Sequence, residues 1–266
     1  MVTALFERTG IVWSLIRSLR PRQWIKNLAV FAGLIFSGQL DNPISTIIVV
    51  KVFLIFCTAA SGTYILNDLF DIERDRLHPF KSKRPIASGQ IPISLAVFLS
   101  MFLIGGSLLL SYQVSPPFFF ALTTYLILQL FYSAFLKSVI LIDVMTIAAG
   151  FVLRIYAGVW AIDAHLNVWF LLAVTSFALF LAIGKRRSEL TLLQSQASRH
   201  RETLLHYPEN LLDILTSMFA NSTWISYALF TFLQPAISAR PRLLLIFDNL
   251  SLPFAQAKYL MGTIPI

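Results

Sequence analysis

Apolar runs of roughly 20 residues, the length a helix needs to cross a bilayer, recur along almost the whole of this 266-residue chain. In lipid a chain must satisfy its own backbone hydrogen bonds, and helices do so segment by segment. The runs therefore predict an all-α, multi-pass transmembrane bundle. Hydrophobic residues make up 57% of the chain and charged residues 13%, which leaves no polar material for a separate soluble domain, so residues 1–266 read as one domain. Spans are expected over 24–38, 44–66, 93–112, 118–136, 139–160, 168–184 and 211–233, with an eighth beginning near 252.

The formal net charge of +8 does not point to nucleic acid, because the basic residues gather in loops between apolar runs, as membrane orientation requires. Arg8, Arg17, Arg20 and Arg22 are interspersed with Leu15, Ile16 and Leu19. That is the pattern of an interfacial helix and not of a cleavable signal. With the N-terminus in the cytoplasm, the loops 67–90 and 185–207 and the turn at Lys137 are cytoplasmic and hold most of the loop lysine and arginine. Asp41, the turn 114–117, Asp163 and His165 fall outside. Arg240 and Arg242 are exceptions on the outer side. The two long loops follow spans two and six, a hint of internal repetition that would bring both over a central cavity open to the cytoplasm and the bilayer. The single cysteine, Cys57, lies within an apolar run and reads as a small buried hydrophobe.

The stretch 67–75, Asn-Asp-Leu-Phe-Asp-Ile-Glu-Arg-Asp, is acid-rich in this apolar setting. On a helix Asp68, Asp71 and Asp75 occupy positions i, i+3 and i+7 and share a face, while Glu73 points away. Aligned carboxylates repel unless a cation joins them, and Mg2+ suits a few carboxylates completed by phosphate oxygens and water. Just downstream, Lys81, Lys83 and Arg84 offer charge to a diphosphate, Arg84 in a planar bidentate manner. Pro79 and Pro85 stiffen that loop; His78 would touch phosphate or order the loop. The alternative is a solvated, charge-balanced loop.

Two ionisable residues interrupt the run 139–160. Asp143 and Arg154 are eleven positions apart, which returns them to within about 20° on a helix, about 16 Å apart along its axis. Gly150 on the same face would open space between them. Each is a functional candidate by its cost in lipid, with an interhelical ion pair or snorkelling as the structural alternative. Lys51 reads as a snorkelling residue, and Lys137 caps the inner end of a span.

The pattern Asn67-Asp68-x-x-Asp71-x-x-x-Asp75 after an apolar helix resembles the first aspartate motif of the UbiA superfamily of intramembrane prenyltransferases. Further segments resemble its decaprenyl-phosphate phosphoribosyltransferase branch: Leu19-Arg20-Pro21-Arg22-Gln23-Trp24-Ile25-Lys26-Asn27, Arg74-Asp75-Arg76-x-His78-Pro79, Arg84-Pro85-Ile86-Ala87-Ser88-Gly89 and Gly184-Lys185-Arg186-Arg187-x-Glu189-Leu190. The likeness runs up to about Phe232; the family commonly has nine spans, whereas this chain ends inside its eighth.

The resemblance implies transfer of phosphoribose from phosphoribosyl diphosphate to a polyprenyl phosphate, assisted by Mg2+, at the cytoplasmic face of a bacterial plasma membrane. Asp68, Asp71 and Asp75 would hold the metal and diphosphate with support from Asn67. Lys81, Arg84, Lys137, Arg154, Lys185 and Arg186 would bind substrate phosphates. The anomeric carbon would gain oxocarbenium character, and an ionised lipid phosphate would attack from the opposite face without a general base. Aromatic prenyltransferases of the superfamily carry a second aspartate motif after span six. Here that loop is basic, with no aspartate before Asp213, which suits two anionic substrates. Two other readings remain: a polyprenyltransferase with an aromatic acceptor, and a membrane transporter or scaffold whose charges only set topology.

Overall fold

The computed structural model describes residues 2–136, 139, 141–192 and 208–233, and among them regular structure is helical throughout, with no strand. Helix α1 (Val2–Leu19) lies against α3 (Pro43–Phe70). Between them the chain forms a ten-residue 3-10 helix, Pro21–Val30, and a short α2, Phe31–Phe36, where a single span over 24–38 was expected. Three residues per turn put Trp24, Asn27 and Val30 on one face. Trp24 Nε1 donates to Ser61 Oγ of α3 at 3.0 Å, and Asn27 and Val30 are buried. Tertiary packing thus selects the tighter helix.

Five helices are long and apolar enough to cross a membrane: α3, α5 (Ile93–Val114), α6 (Pro116–Ala134), α7 (Ile142–Ala161) and residues 168–188 of α8 (Val168–Leu192). Helix α4 (Ile72–Leu77) follows α3 after one residue, and α9 (Glu209–Leu233) covers the stretch expected as a seventh span. The eighth span, Arg240 and Arg242 lie outside the described residues.

Helices α3 and α5 to α8 alternate in direction, each packing on its successor from α5 to α9, while α3 also meets α5, α6 and α7. Caps start two of them. Asn42 Oδ1 accepts from the backbone of Ile44 and Ser45 ahead of α3, and Ser115 Oγ accepts from Phe118 ahead of α6. Val49, Val52 and Phe56 of α3 close on Val30, Leu34, Phe118, Leu122, Tyr125 and Ala157 to form the main core. On α5 the buried face is small: Ala96, Ser100, Ser107 and Ser111, each serine hydroxyl donating to the carbonyl three residues before it. Its outer face carries exposed Phe98, Met101, Phe102 and Leu109, the apolar surface that a bundle in lipid presents.

Two glycines bring backbones into contact where α7 crosses the entry segment. A Cβ on Gly158 would stand 2.0 Å from the Val30 carbonyl oxygen, and one on Gly33 2.5 Å from Val159 Cγ2. Small residues at helix crossings give close packing in lipid, where no hydrophobic force separates helix from tail. This crossing fixes the 3-10 helix against α7.

Gly158→Ala should therefore lower stability by about 1–3 kcal/mol through forced separation. Gly106→Ala, on α5 with open space around it, should be neutral or slightly stabilising from helix propensity. Thermal unfolding in detergent measures both, and equal midpoints for the two variants would contradict the crossing.

Candidate active site

The polar ends of α3, α4, α7, α8 and α9 gather at one end of the bundle, and the acid-rich stretch lies there. Helix α3 ends at Phe70, Asp71 takes φ −94° and ψ 7°, and α4 begins at Ile72. Helical hydrogen bonding nevertheless continues through the break: Asp71 N donates to Asn67 O at 3.0 Å and Asp75 N to Asp71 O at 2.8 Å. The seven-residue spacing between Asp68 and Asp75 is thereby kept as a shared face, and one nitrogen joins them. Arg84 Nη1 donates to Asp68 Oδ1 at 3.0 Å and to Asp75 Oδ2 at 2.6 Å. Asp68 and Asp75 are each 3% exposed. Asp71 is half-buried at the head of the turn, Asn67 is half-buried one residue before Asp68, and Glu73 is exposed. Among the described residues no three His, Cys, Asp or Glu side chains stand close enough to hold a metal ion by themselves.

The loop after α4 is built to deliver Arg84. Pro85, Ile86 and Ala87 are buried, and Ile86 and Ile91 pack with Ile65 of α3 and Ala96 of α5 in a small satellite core. Gly89 at φ +78° turns the chain back. His78 orders the start of the loop: its Nδ1 accepts from the backbone of Phe80 at 3.2 Å and of Lys81 at 3.3 Å. Lys81 and Lys83 stand exposed on the 3-10 turn Lys81–Lys83.

Arg20 was not singled out by the sequence, yet its Nη2 donates to Asp68 Oδ1 and its guanidinium lies 5.1 Å over the Tyr64 ring. It holds φ 52° and ψ 58°, left-handed and directly before Pro21, a conformation that costs a non-glycine residue energy and that surrounding contacts must maintain. The one available signal was its place in the Leu19–Asn27 segment, which had been matched without assigning it a role.

Arg154 lies in the bundle interior, 5% exposed. Nε donates to Asn27 Oδ1 at 2.8 Å, Nη1 to Gly150 O at 2.7 Å and Nη2 to Tyr125 Oη at 2.8 Å. Gly150 makes room, since a Cβ there would stand 3.4 Å from Nη1. Asp143 does not share this space. Its Oδ2 lies 2.8 Å from Arg186 Nε, with both side chains at most 2% exposed. Arg187 clips α8 to α9 through Asp213 at 2.8 Å and Glu209 at 3.5 Å. Of the basic triplet only Lys185 is solvent-exposed. Lys137 lies outside the described residues.

Removing one partner of a buried pair leaves the other charge uncompensated. Asp143→Asn should cost about 3–5 kcal/mol, whereas Asp143→Leu together with Arg186→Met should cost clearly less. Unfolding midpoints in detergent test this, and a single variant as stable as the parent would contradict it.

Residues 27–240 match the model of the UbiA prenyltransferase family. The chain is 36% identical over 227 residues to a decaprenyl-phosphate phosphoribosyltransferase of Mycolicibacterium smegmatis, covering 84% of this chain and 71% of that protein. It is also 36% identical over 222 residues to the Corynebacterium glutamicum protein of the same name, covering 82% and 67%. A UbiA homolog from Archaeoglobus fulgidus, solved bound to GPP and Mg2+, superposes with a TM-score of 0.72 at 21% identity over 94% of this chain and 87% of its own. An all-helical bundle with an aspartate pair at its polar end and a family match over most of its length, this chain belongs to the UbiA prenyltransferase family.

Proposed function

We propose that this protein transfers 5-phosphoribose from phosphoribosyl diphosphate to a polyprenyl phosphate of the decaprenyl type, releasing pyrophosphate, with Mg2+, at the cytoplasmic face of a bacterial plasma membrane. One transmembrane domain carries the reaction. The observation that supports this reading best is the separation of charge within the bundle. Two buried carboxylates, Asp68 and Asp75, share a cation, while Arg154 is surrounded by neutral partners only. The names of the relatives, decaprenyl-phosphate phosphoribosyltransferase, support a prenyl phosphate acceptor and a phosphoribosyl group as what is moved.

The donor set fits Mg2+. Asp68 Oδ1 and Asp75 Oδ2 both approach one cationic nitrogen, and Mg2+ takes one or two carboxylates with phosphate oxygens and water. Asp68, Asp75 and Asp71 would hold it, with Asn67 beside them, and the chemistry it supplies is neutralisation of charge on the departing pyrophosphate. Arg84 and Lys81 would bind the diphosphate oxygens, a role supported by Arg84 facing the carboxylates and Lys81 being open to solvent on the same loop. Arg20 bonds the same Asp68 oxygen as Arg84 does. Arg154 and Lys185 take the remaining phosphate charge. Arg186, buried against Asp143, sets the end of α8 and so the position of Lys185. No residue need remove a proton, because an ionised phosphate is already nucleophilic; His78, spent on the loop backbone, fits that role division.

Purified protein given labelled phosphoribosyl diphosphate, polyprenyl phosphate and Mg2+ should yield a labelled, solvent-extractable lipid. Asp68→Asn and Asp71→Asn should each reduce that yield by about 10² or more, the scale of losing preorganised charge stabilisation, with expression unchanged. Transfer of a prenyl group to an aromatic acid instead of phosphoribose to lipid would overturn the proposal, and near-normal turnover by either variant would refute the metal assignment.

A further inference from the structure

We infer that Arg84 is an exchangeable counter-ion: its guanidinium holds the place between Asp68 and Asp75, and a divalent cation binds there only by turning that side chain out to solvent, while Arg20 stays on Asp68. The inference rests on the Mg2+ reading above and adds to it what the metal must displace.

Two carboxylates buried side by side need a cation between them to stay ionised. Asp68 and Asp75 share one through a single atom, since Arg84 Nη1 lies 3.0 Å from Asp68 Oδ1 and 2.6 Å from Asp75 Oδ2. An ion ligated by both of those oxygens needs the space that this nitrogen holds. The other oxygens, Asp68 Oδ2 and Asp75 Oδ1, make no hydrogen bond among the described residues. Each carboxylate therefore has an oxygen in reserve, and the point where the two meet is closed by the arginine.

The loop lets Arg84 leave. Its side chain makes no hydrogen bond among the described residues beyond the two from Nη1, and it is half-buried beside exposed Lys83. Its backbone is fixed independently of those two bonds. Arg84 N donates to Lys81 O and Arg84 O accepts from Ser88 N, both at 2.9 Å, and Pro85, Ile86 and Ala87 are buried behind it. Rotation about side-chain torsions alone carries the guanidinium from the carboxylates into water.

Arg20 is held differently. It reaches Asp68 Oδ1 and not Asp75, so it does not stand between the carboxylates. Its guanidinium lies over the Tyr64 ring, and its backbone is set by the left-handed turn between α1 and the 3-10 helix. With Arg84 turned out, Asp68 keeps a cation and Asp75 has lost its own, which is the charge an incoming divalent ion makes good. The exchange puts two positive charges where one had stood and frees Arg84, at the mouth of the site, for the diphosphate role given to it above.

The test starts with the wild-type chain in lipid nanodiscs, with no diphosphate present. Phenylglyoxal modifies accessible guanidinium groups, and mass spectrometry locates the modified arginines. Mn2+ should speed modification of Arg84 severalfold and leave that of Arg20 unchanged. By electron paramagnetic resonance Arg84→Gln should bind Mn2+ about tenfold more tightly than the wild type, because a charge-assisted hydrogen bond no longer has to be broken. Lys83→Gln, which removes an exposed charge from the same loop, should bind Mn2+ as the wild type does. Slower or unchanged modification of Arg84 with Mn2+ bound, equal or weaker Mn2+ binding by Arg84→Gln, or a matching gain in Lys83→Gln would overturn the exchange and leave the metal assignment standing. A wild type that binds no Mn2+ would remove the metal assignment and the exchange with it. Since the modification experiment needs no variant, misfolding of Arg84→Gln would not shelter the inference.

Discussion

The structure depends on how an apolar bundle tolerates buried charge. An ionised group removed from water must find opposite charge or a dense set of dipoles, and this chain uses both solutions at one end. Asp68 and Asp75 are compensated by Arg84 and Arg20, and Asp143 by Arg186. Arg154 is compensated by dipoles and ring faces alone. The first three arrangements neutralise charge in place. The fourth leaves a net positive centre inside the bundle, and that difference gives the bundle two chemically distinct poles.

Each pole is supported by backbone packing well away from the charges. The acidic pole needs α3 and α4 to continue one helical path through Asp71, and it needs Arg84 returned to that path by a loop pinned through Ile86 and Ile91. The basic pole needs the 3-10 helix pressed against α7, which only glycine at 158 allows given its contact with the Val30 carbonyl. Ser61 of α3 ties the two together: its hydroxyl accepts from Trp24 of the 3-10 helix and donates to the Leu19 carbonyl, next to Arg20.

Much of this was legible in the sequence, for reasons that separate local from distant physics. Helical spans follow from run length, and five of the seven expected spans that fall among the described residues emerge as helices apolar enough to cross a membrane. The seven-residue spacing of Asp68 and Asp75 is a local periodicity, and the two carboxylates do meet at Arg84. Partners from distant segments carry no such periodicity. Nothing in the pattern says that Asp143 would meet Arg186 and not Arg154, or that Arg187 would be taken up by Asp213. Lys185 and Arg186 therefore read alike as phosphate ligands, whereas Arg186 is paired with Asp143, and Arg187 beside them ties α8 to α9. The first span differs because hydropathy does not distinguish a 3-10 helix from an α-helix; the three-residue recurrence of Trp24, Asn27 and Val30 does, once Asn27 and Val30 are known to be buried and Trp24 to bond Ser61. His78 behaves as a loop-ordering acceptor, one of its two expected roles.

The central claim is that the carboxylates Asp68 and Asp75, brought together at Arg84, hold a metal-bound diphosphate. Electron–nuclear double resonance with Mn2+ in place of Mg2+ addresses it directly, since coupling to 31P reports which phosphate touches the metal. The account predicts strong 31P coupling when pyrophosphate is added, and loss of the bound Mn2+ signal in Asp75→Asn. Absence of 31P coupling with pyrophosphate, or an unchanged Mn2+ site in Asp75→Asn, would contradict it.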